Sequence, residues 1–189
     1  MEGLMRLKAM AKINLGLDVL GKREDGYHEV RMIMQTIRMY DILDIRKTRR
    51  PGIVLTTNLP FIPTDQRNLV YKAAQMLMEE FDVEEGLSIK LRKFIPVAAG
   101  MAGGSSDAAA AFVGVNRMFH LGLTEEQLME RAVKVGADVP YCIMRGTALA
   151  EGIGEKLTRL PEVPKCYVLI GKPGINVSTK TAYENLNLA

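Results

Sequence analysis

Residues 96–110 read PVAAGMAGGSSDAAA, and no other stretch restricts the fold so tightly. Glycines at 100, 103 and 104 let a backbone turn sharply and approach a ligand without side-chain clash. The alanine-rich run that follows, Ser106 to Phe119, reads as a helix. A loop ending at a helix start presents unpaired N–H groups and roughly half a positive charge. Phosphate oxygens match both features. Pro96, Ala98, Ala99, Gly100, Met101, Ala102, Gly103, Gly104, Ser105 and Ser106 are therefore candidate nucleotide-binding residues. The serine hydroxyls can bond phosphate or help to hold Mg²⁺, which makes Ser106 the candidate metal ligand. The plainer alternative is a glycine-rich turn with serine as N-cap. The spacing is neither GxGxxG nor GxxxxGK[ST], which disfavours a dinucleotide fold and supplies no P-loop lysine. Asp107, expected in the first helical turn, suits the dipole but repels a phosphate unless it points away.

Before this loop the chain alternates. Leu7, Ala9 and Ala11 interleave with Arg6, Lys8 and Lys12, and Ile13, Leu15, Leu17 and Val19 continue the period of two into a polar turn, GKREDG. Glu29 to Arg38, Asp41 to Lys47 and Gly52 to Thr57 read as an antiparallel meander. Asn68 can cap a helix that runs to about Phe81, and Leu87 to Phe94 alternates as a strand. Thr124 and Gln127 form a capping box for a helix ending at Gly136. Thr147 to Glu151, Lys156 to Leu160 and Cys166 to Ile170 read as strands, and a short helix is expected from Ser178 or Thr179. Successive strands, with helices that need not cross over between parallel ones, predict an α+β fold. Pro161 to Pro164 is the candidate hinge, dividing 1–160 from 161–189. The stretch after it is too short for an independent domain, so the chain reads as cut short.

Composition narrows the function. A net charge of +3 does not point to a polyanion as main partner. The basic run RKTRR, Arg46 to Arg50, lacks interleaved aromatics and reads as a solvated loop, which disfavours a nucleic-acid module. Arg6, Lys8 and Lys12 interrupt the N-terminal apolar stretch, so neither a signal peptide nor a membrane span is expected. Cys142 and Cys166 form no CxxC pair, and a reduced cytosol fits.

Asp138 sits in GADVP, between a helix-ending Gly136 and Pro140, which restricts Val139 to extended geometry. On residues alone it reads first as the cap of a short helix with Pro140 in its first turn, and otherwise as a carboxylate held on a stiff connection. Lys12 alone reads as a solvated strand residue, and Asn14, two residues on, shares its side of the strand. Tyr27 and His28 could stack on a pyrimidine and bond its edge, or be ordinary strand-start residues. Thr179 and Tyr183 lie four apart, on one face of the expected short helix. His120 reads as a surface residue at a helix end.

The glycine loop, AKINLGLDVLGKREDGYHEV (Ala11–Val30), GADVPYCIMRGTALAEGIGE (Gly136–Glu155) and PGINVSTKTAYENL (Pro173–Leu186) together resemble the GHMP kinases, and the match covers essentially the whole chain. GYHE after a GKR turn is similar to the branch of that family whose acceptor alcohol carries a cytidine diphosphate. The resemblance implies a ribosomal protein S5 domain 2-like N-terminal domain over 1–160 and the start of a C-terminal α+β domain over 161–189. It implies ATP and Mg²⁺, with the loop around the triphosphate and Asn68 and Leu69 bordering the adenine. Lys93, just before the loop, could meet a phosphate or be an ordinary solvated strand lysine. The resemblance implies direct phosphoryl transfer, with Asp138 accepting the proton of the acceptor hydroxyl and Lys12 and Asn14 beside that hydroxyl. His28 would read the cytosine, with Tyr27, Thr179 and Tyr183 around it. A cytoplasmic monomer or weak homodimer without nucleic-acid or membrane partners is implied as well. The family's third glycine-rich motif has no counterpart after Tyr167, so an inactive fragment is a competing expectation. A kinase for mevalonate or homoserine is another, against which Tyr27 and His28 argue.

Overall fold

The protein is described by a computed structural model covering residues 3–172 together with 174, 185 and 186. Strand β1 (Met5–Lys22) runs into β2 (His28–Thr48) as a long antiparallel hairpin. The other elements are β3 (Ile53–Thr57), α1 (Leu69–Glu80), β4 (Gly86–Arg92), α2 (Gly103–Met118), α3 (Glu125–Ala132), α4 (Val139–Met144), β5 (Thr147–Gly152) and β6 (Lys156–Arg159).

The expected meander gives way to a different layout. Glu29 to Lys47 lies within one continuous strand, because β1 pairs with it along most of its length. β3 pairs with β4 in parallel, and α1 is the crossover between them. The sheet order is β3-β4-β2-β5-β6, with β1 paired to β2. Since β1 takes one edge of β2, β4 and β5 share the other: β5 pairs with residues 30–35 and β4 with residues 42–48. Residues 36–41 lie between the two ladders, and the site is assembled at that gap.

α2 packs on β1 and β2 and against α1 and α4, so the helices form a second layer over one core. Ala108 to Ala111 are buried, and small side chains let the helix approach closely. At Gly114 an added Cβ would lie 2.4 Å from Ile45 Cδ1 and 2.7 Å from Leu7 Cδ1, so both side chains would have to shift to admit one. Asn68 caps α1 by accepting from the Val70 N–H, and Thr124 and Gln127 form the expected capping box of α3, whose helix ends at Ala132, short of Gly136. Cys166 to Ile170 form no strand, having no neighbour to pair with among the described residues. The helix expected from Ser178 or Thr179 lies outside the described residues. No helix among the described residues is long and apolar enough to cross a membrane.

Candidate active site

A cleft of about 330 Å³ opens between the glycine loop, the start of α1 and the start of α2. Pro96, Ala98 to Gly104, Asn68, Leu69 and Lys93 line it, together with Ile62, Pro63, Arg67, Leu91, Val97 and Asp107. Ala98, Gly100 and Ala102 have φ of 54°, 69° and 52°, and the residues between them do not. Alternation of this kind tends to turn successive N–H groups toward one side, an arrangement that suits an anion. Two of the three left-handed positions are alanines, which accept some strain there. Asn68 borders the cleft with its amide committed elsewhere: Oδ1 caps α1 and Nδ2 donates to the Pro63 carbonyl at 2.7 Å.

Three expectations about this loop change. α2 begins at Gly103 with Ala102 at its N-cap and no side-chain cap, so neither serine is the cap. Ser106 is buried and is not among the residues that line the cleft, and its hydroxyl donates to the Met10 carbonyl at 2.6 Å, so the expected metal ligand is turned into the fold. Lys93 does not extend toward an anion. Its ammonium is pinned between Asp41 Oδ2 and Asp107 Oδ2, because a buried charge needs counter-charges at contact range. Asp41, wholly buried, also accepts from the backbone N–H groups of Phe94 and Ile95 through Oδ1. Asp107 thus turns onto Lys93, which answers its expected conflict with phosphate. Among the described residues no group of three or more His, Cys, Asp or Glu is placed to hold a metal ion.

The loop is joined directly to β1. The β1–β2 register shifts between Met10 and Lys12, a bulge that releases backbone groups from the ladder. The Lys12 N–H donates to the Met101 carbonyl at 3.2 Å, and the Met10 carbonyl receives Ser106. Ala11, between them, packs with Ile95 and Met101 in a small apolar cluster.

Lys12 itself is 5% exposed, so it is not a solvated strand residue. Its ammonium donates to Asn14 Oδ1 at 3.0 Å and lies 3.8 Å from Asp138 Oδ2. Asp138 occupies the N-cap position of α4 without making a side-chain cap bond, which sets the capping alternative aside. α4 is buried along its whole length, with Pro140 in its first turn, and so anchors the Asp138 backbone. The carboxylate stays one-third exposed and open to a ligand. Just behind, burial and then Asp138 push the Cys142 thiol far up, so it stays neutral.

Tyr27 and His28 stand past the turn of the hairpin, where His28 pairs with Lys22, whereas Asn14 pairs with Met34. The Tyr27 ring is exposed. The contacts described here join Lys12, Asn14 and Asp138. Thr179 and Tyr183 lie outside the described residues. Asp41 escaped the sequence reading although a signal was present: it shares the parity of Leu43 and Ile45, both fully buried, so a strand there takes a carboxylate inward.

A cleft lined by the glycine loop and the starts of two helices, and a lysine–carboxylate pair tied to that loop, make up the site. Residues 68–146 match the family model of the GHMP kinases N terminal domain. The chain is 57% identical over 183 residues to the 4-diphosphocytidyl-2-C-methyl-D-erythritol kinase of Lachnospira eligens, covering 97% of this chain and 64% of that one. Against the kinase of the same name from Caldicellulosiruptor bescii it is 55% identical over 185 residues, 98% of this chain and 65% of that one. The crystal structure of 4-(cytidine 5'-diphospho)-2C-methyl-D-erythritol kinase superposes with a TM-score of 0.81 at 32% identity, covering 97% of this chain and 65% of that one. The chain thus spans about 64% of the length of its curated relatives.

Proposed function

We propose that this chain is the ATP-binding and catalytic part of a kinase that transfers the γ-phosphoryl group of MgATP to the 2-hydroxyl of 4-diphosphocytidyl-2-C-methyl-D-erythritol, a step of non-mevalonate isoprenoid precursor synthesis. The single observation that carries this reading is the 3.8 Å approach of Lys12 to Asp138, made from a bulge bonded to the glycine loop. In it residues 1–160 form the catalytic N-terminal domain and residues 161–189 open the next one.

The chemistry follows from the groups in hand. The N–H concavity of residues 98–102 and the start of α2 hold the triphosphate. Apolar Ile62, Pro63, Leu69 and Leu91 suit the flat faces of the base. Mg²⁺ enters with the nucleotide as part of the substrate and offsets phosphate charge. Asp138 takes the proton of the acceptor hydroxyl as that oxygen attacks phosphorus. Lys12, held by Asn14, faces the charge that develops on the transferring group. Tyr27 and His28 are the groups that would take the cytosine, with Thr179 and Tyr183 contributing to the same pocket. Both substrates are water-soluble, which suits a cytoplasmic enzyme.

A coupled assay with ATP tests the reading, using the cytidine-bearing alcohol, mevalonate and homoserine as rival acceptors. It is run on this chain and on one extended to the length of the relatives. Phosphorylation confined to the cytidine-bearing alcohol is the expected result. Transfer to mevalonate or homoserine instead, or none by either chain, overturns it.

A further inference from the structure

The Asp41–Lys93–Asp107 cluster contains one oxygen with no assigned role. Asp107 Oδ2 takes a bond from Lys93 at 2.6 Å, but Asp107 Oδ1 is buried and has no hydrogen-bond partner. The side chain is 3% exposed, yet the residue lines the cleft beside Gly103 and Gly104. Left unmade, such a bond costs stability, so its retention calls for a ligand group that completes it.

Charge decides what that group is. Two ionised carboxylates against one ammonium would leave an excess negative charge at the wall of an anion site. Asp41 faces three donors, Lys93 and the N–H groups of Phe94 and Ile95, and so has the acceptor role. Asp107 faces one. A divalent cation at Oδ1 would sit close to the Lys93 ammonium, and Mg²⁺ requires several further oxygens around it that a single buried oxygen does not provide. A proton removes the excess charge and needs no room. Burial pushes the Asp107 carboxyl well above the usual carboxylate range; Lys93 opposes this and Asp41 adds to it. The remaining titratable neighbour is Cys142 on α4, a neutral thiol.

We propose that Asp107 is a further nucleotide-contacting residue, a neutral carboxylic acid whose Oδ1–H donates to an oxygen of the triphosphate, with Asp41 and Lys93 as positioning residues behind it. This rests on the nucleotide reading of the loop and deepens it. Gly103 belongs to the same arrangement: an added Cβ would lie 3.1 Å from Lys93 Nζ, so the first residue of α2 must be small for helix, lysine and Asp107 to close on one another.

Titration calorimetry with ATP and with inorganic tripolyphosphate, on the wild type, Asp107→Asn and Asp107→Ala, tests this. Asparagine retains a neutral donor and is expected to bind both ligands within about threefold of wild type, whereas alanine weakens both by ~10–100-fold. Wild-type affinity should fall as pH rises and Asp107 loses its proton, and the asparagine variant should lack that fall. Independently of any ligand, ¹³C NMR of aspartate-labelled protein should show the Asp107 carboxyl losing its proton at a higher pH than the exposed aspartates. An Asp107 that ionises together with the exposed aspartates, an asparagine variant as weak as alanine, or a loss seen with ATP but not tripolyphosphate overturns the proposal. A wild type that binds neither ligand sinks the nucleotide reading itself, while the carboxyl shift still reports on Asp107 alone.

Discussion

The Lys12 ammonium and the Asp138 carboxylate meet at 3.8 Å although they come from opposite ends of the domain, one from the first strand and one from the cap of a six-residue helix. Lys12 could bond Asn14 alone, and Asp138 makes no cap bond for its own helix. In the proposed mechanism, replacing Asp138 with Asn keeps the shape and removes the base. The expected outcome is a fall in kcat of about 10²–10⁴ with nucleotide affinity unchanged, read by the coupled assay and ATP titration.

Lys12→Met retains the buried aliphatic stem and deletes the charge. Turnover should drop about 10²–10³-fold, since the group that faces developing phosphoryl charge is gone. The melting temperature should stay close to wild type, because Asp138 remains partly solvated. A large loss of stability with little loss of turnover would recast Lys12 as a structural residue.

Asp41→Ala tests the buried cluster. It strips Lys93 of one counter-charge and leaves the N–H groups of Phe94 and Ile95 without their acceptor. Breaking such a set costs ~3–5 kcal/mol, to be measured by urea unfolding.

Gly114→Ala forces a methyl group into Ile45 and Leu7. Overpacking of this kind costs ~1–3 kcal/mol, visible as a lower denaturation midpoint with an unchanged slope.

Tyr141 gives a prediction in pH. Its hydroxyl donates to the Gly146 carbonyl at 2.7 Å and meets Thr36, and burial pushes it from 10.0 up to about 12. The folded state therefore keeps the phenol proton where the unfolded state has lost it. Stability is intact below pH 10 and falls as pH rises from about 10 to about 12, by ~1.4 kcal/mol per pH unit. Tyrosinate absorbance during alkaline titration should rise together with loss of helical ellipticity, and Tyr141→Phe should lack this component.

Much of this was legible in the sequence, and the failures have local causes. α1 and α3 follow from capping residues and helical periodicity, and α2 from its alanine-rich run, all set by neighbours along the chain. The meander failed because the pairing of β3 with β4 depends on α1 carrying the chain across, which no residue of β3 encodes. The glycine loop and Asp138 lie on short motifs and could be read directly. Lys93 was misjudged because a lysine ending a strand is ordinarily solvated, and its partners Asp41 and Asp107 reach it only through tertiary packing. Ser106 was misjudged for a related reason: its acceptor, Met10, is exposed to it by a bulge that periodicity does not reveal.

The gap between the two ladders on β2 also sets an order of events. The β1–β2 hairpin closes locally, whereas β4 and β5 reach the same strand only after long intervening segments. Closing long loops slows folding, so the hairpin should form early and the ladder with β5 late. Lys12 is placed by the early event and Asp138, just ahead of β5, by the late one. Catalytic competence is then the last property a refolding chain regains, and recovery of turnover should lag behind recovery of hairpin protection in hydrogen exchange.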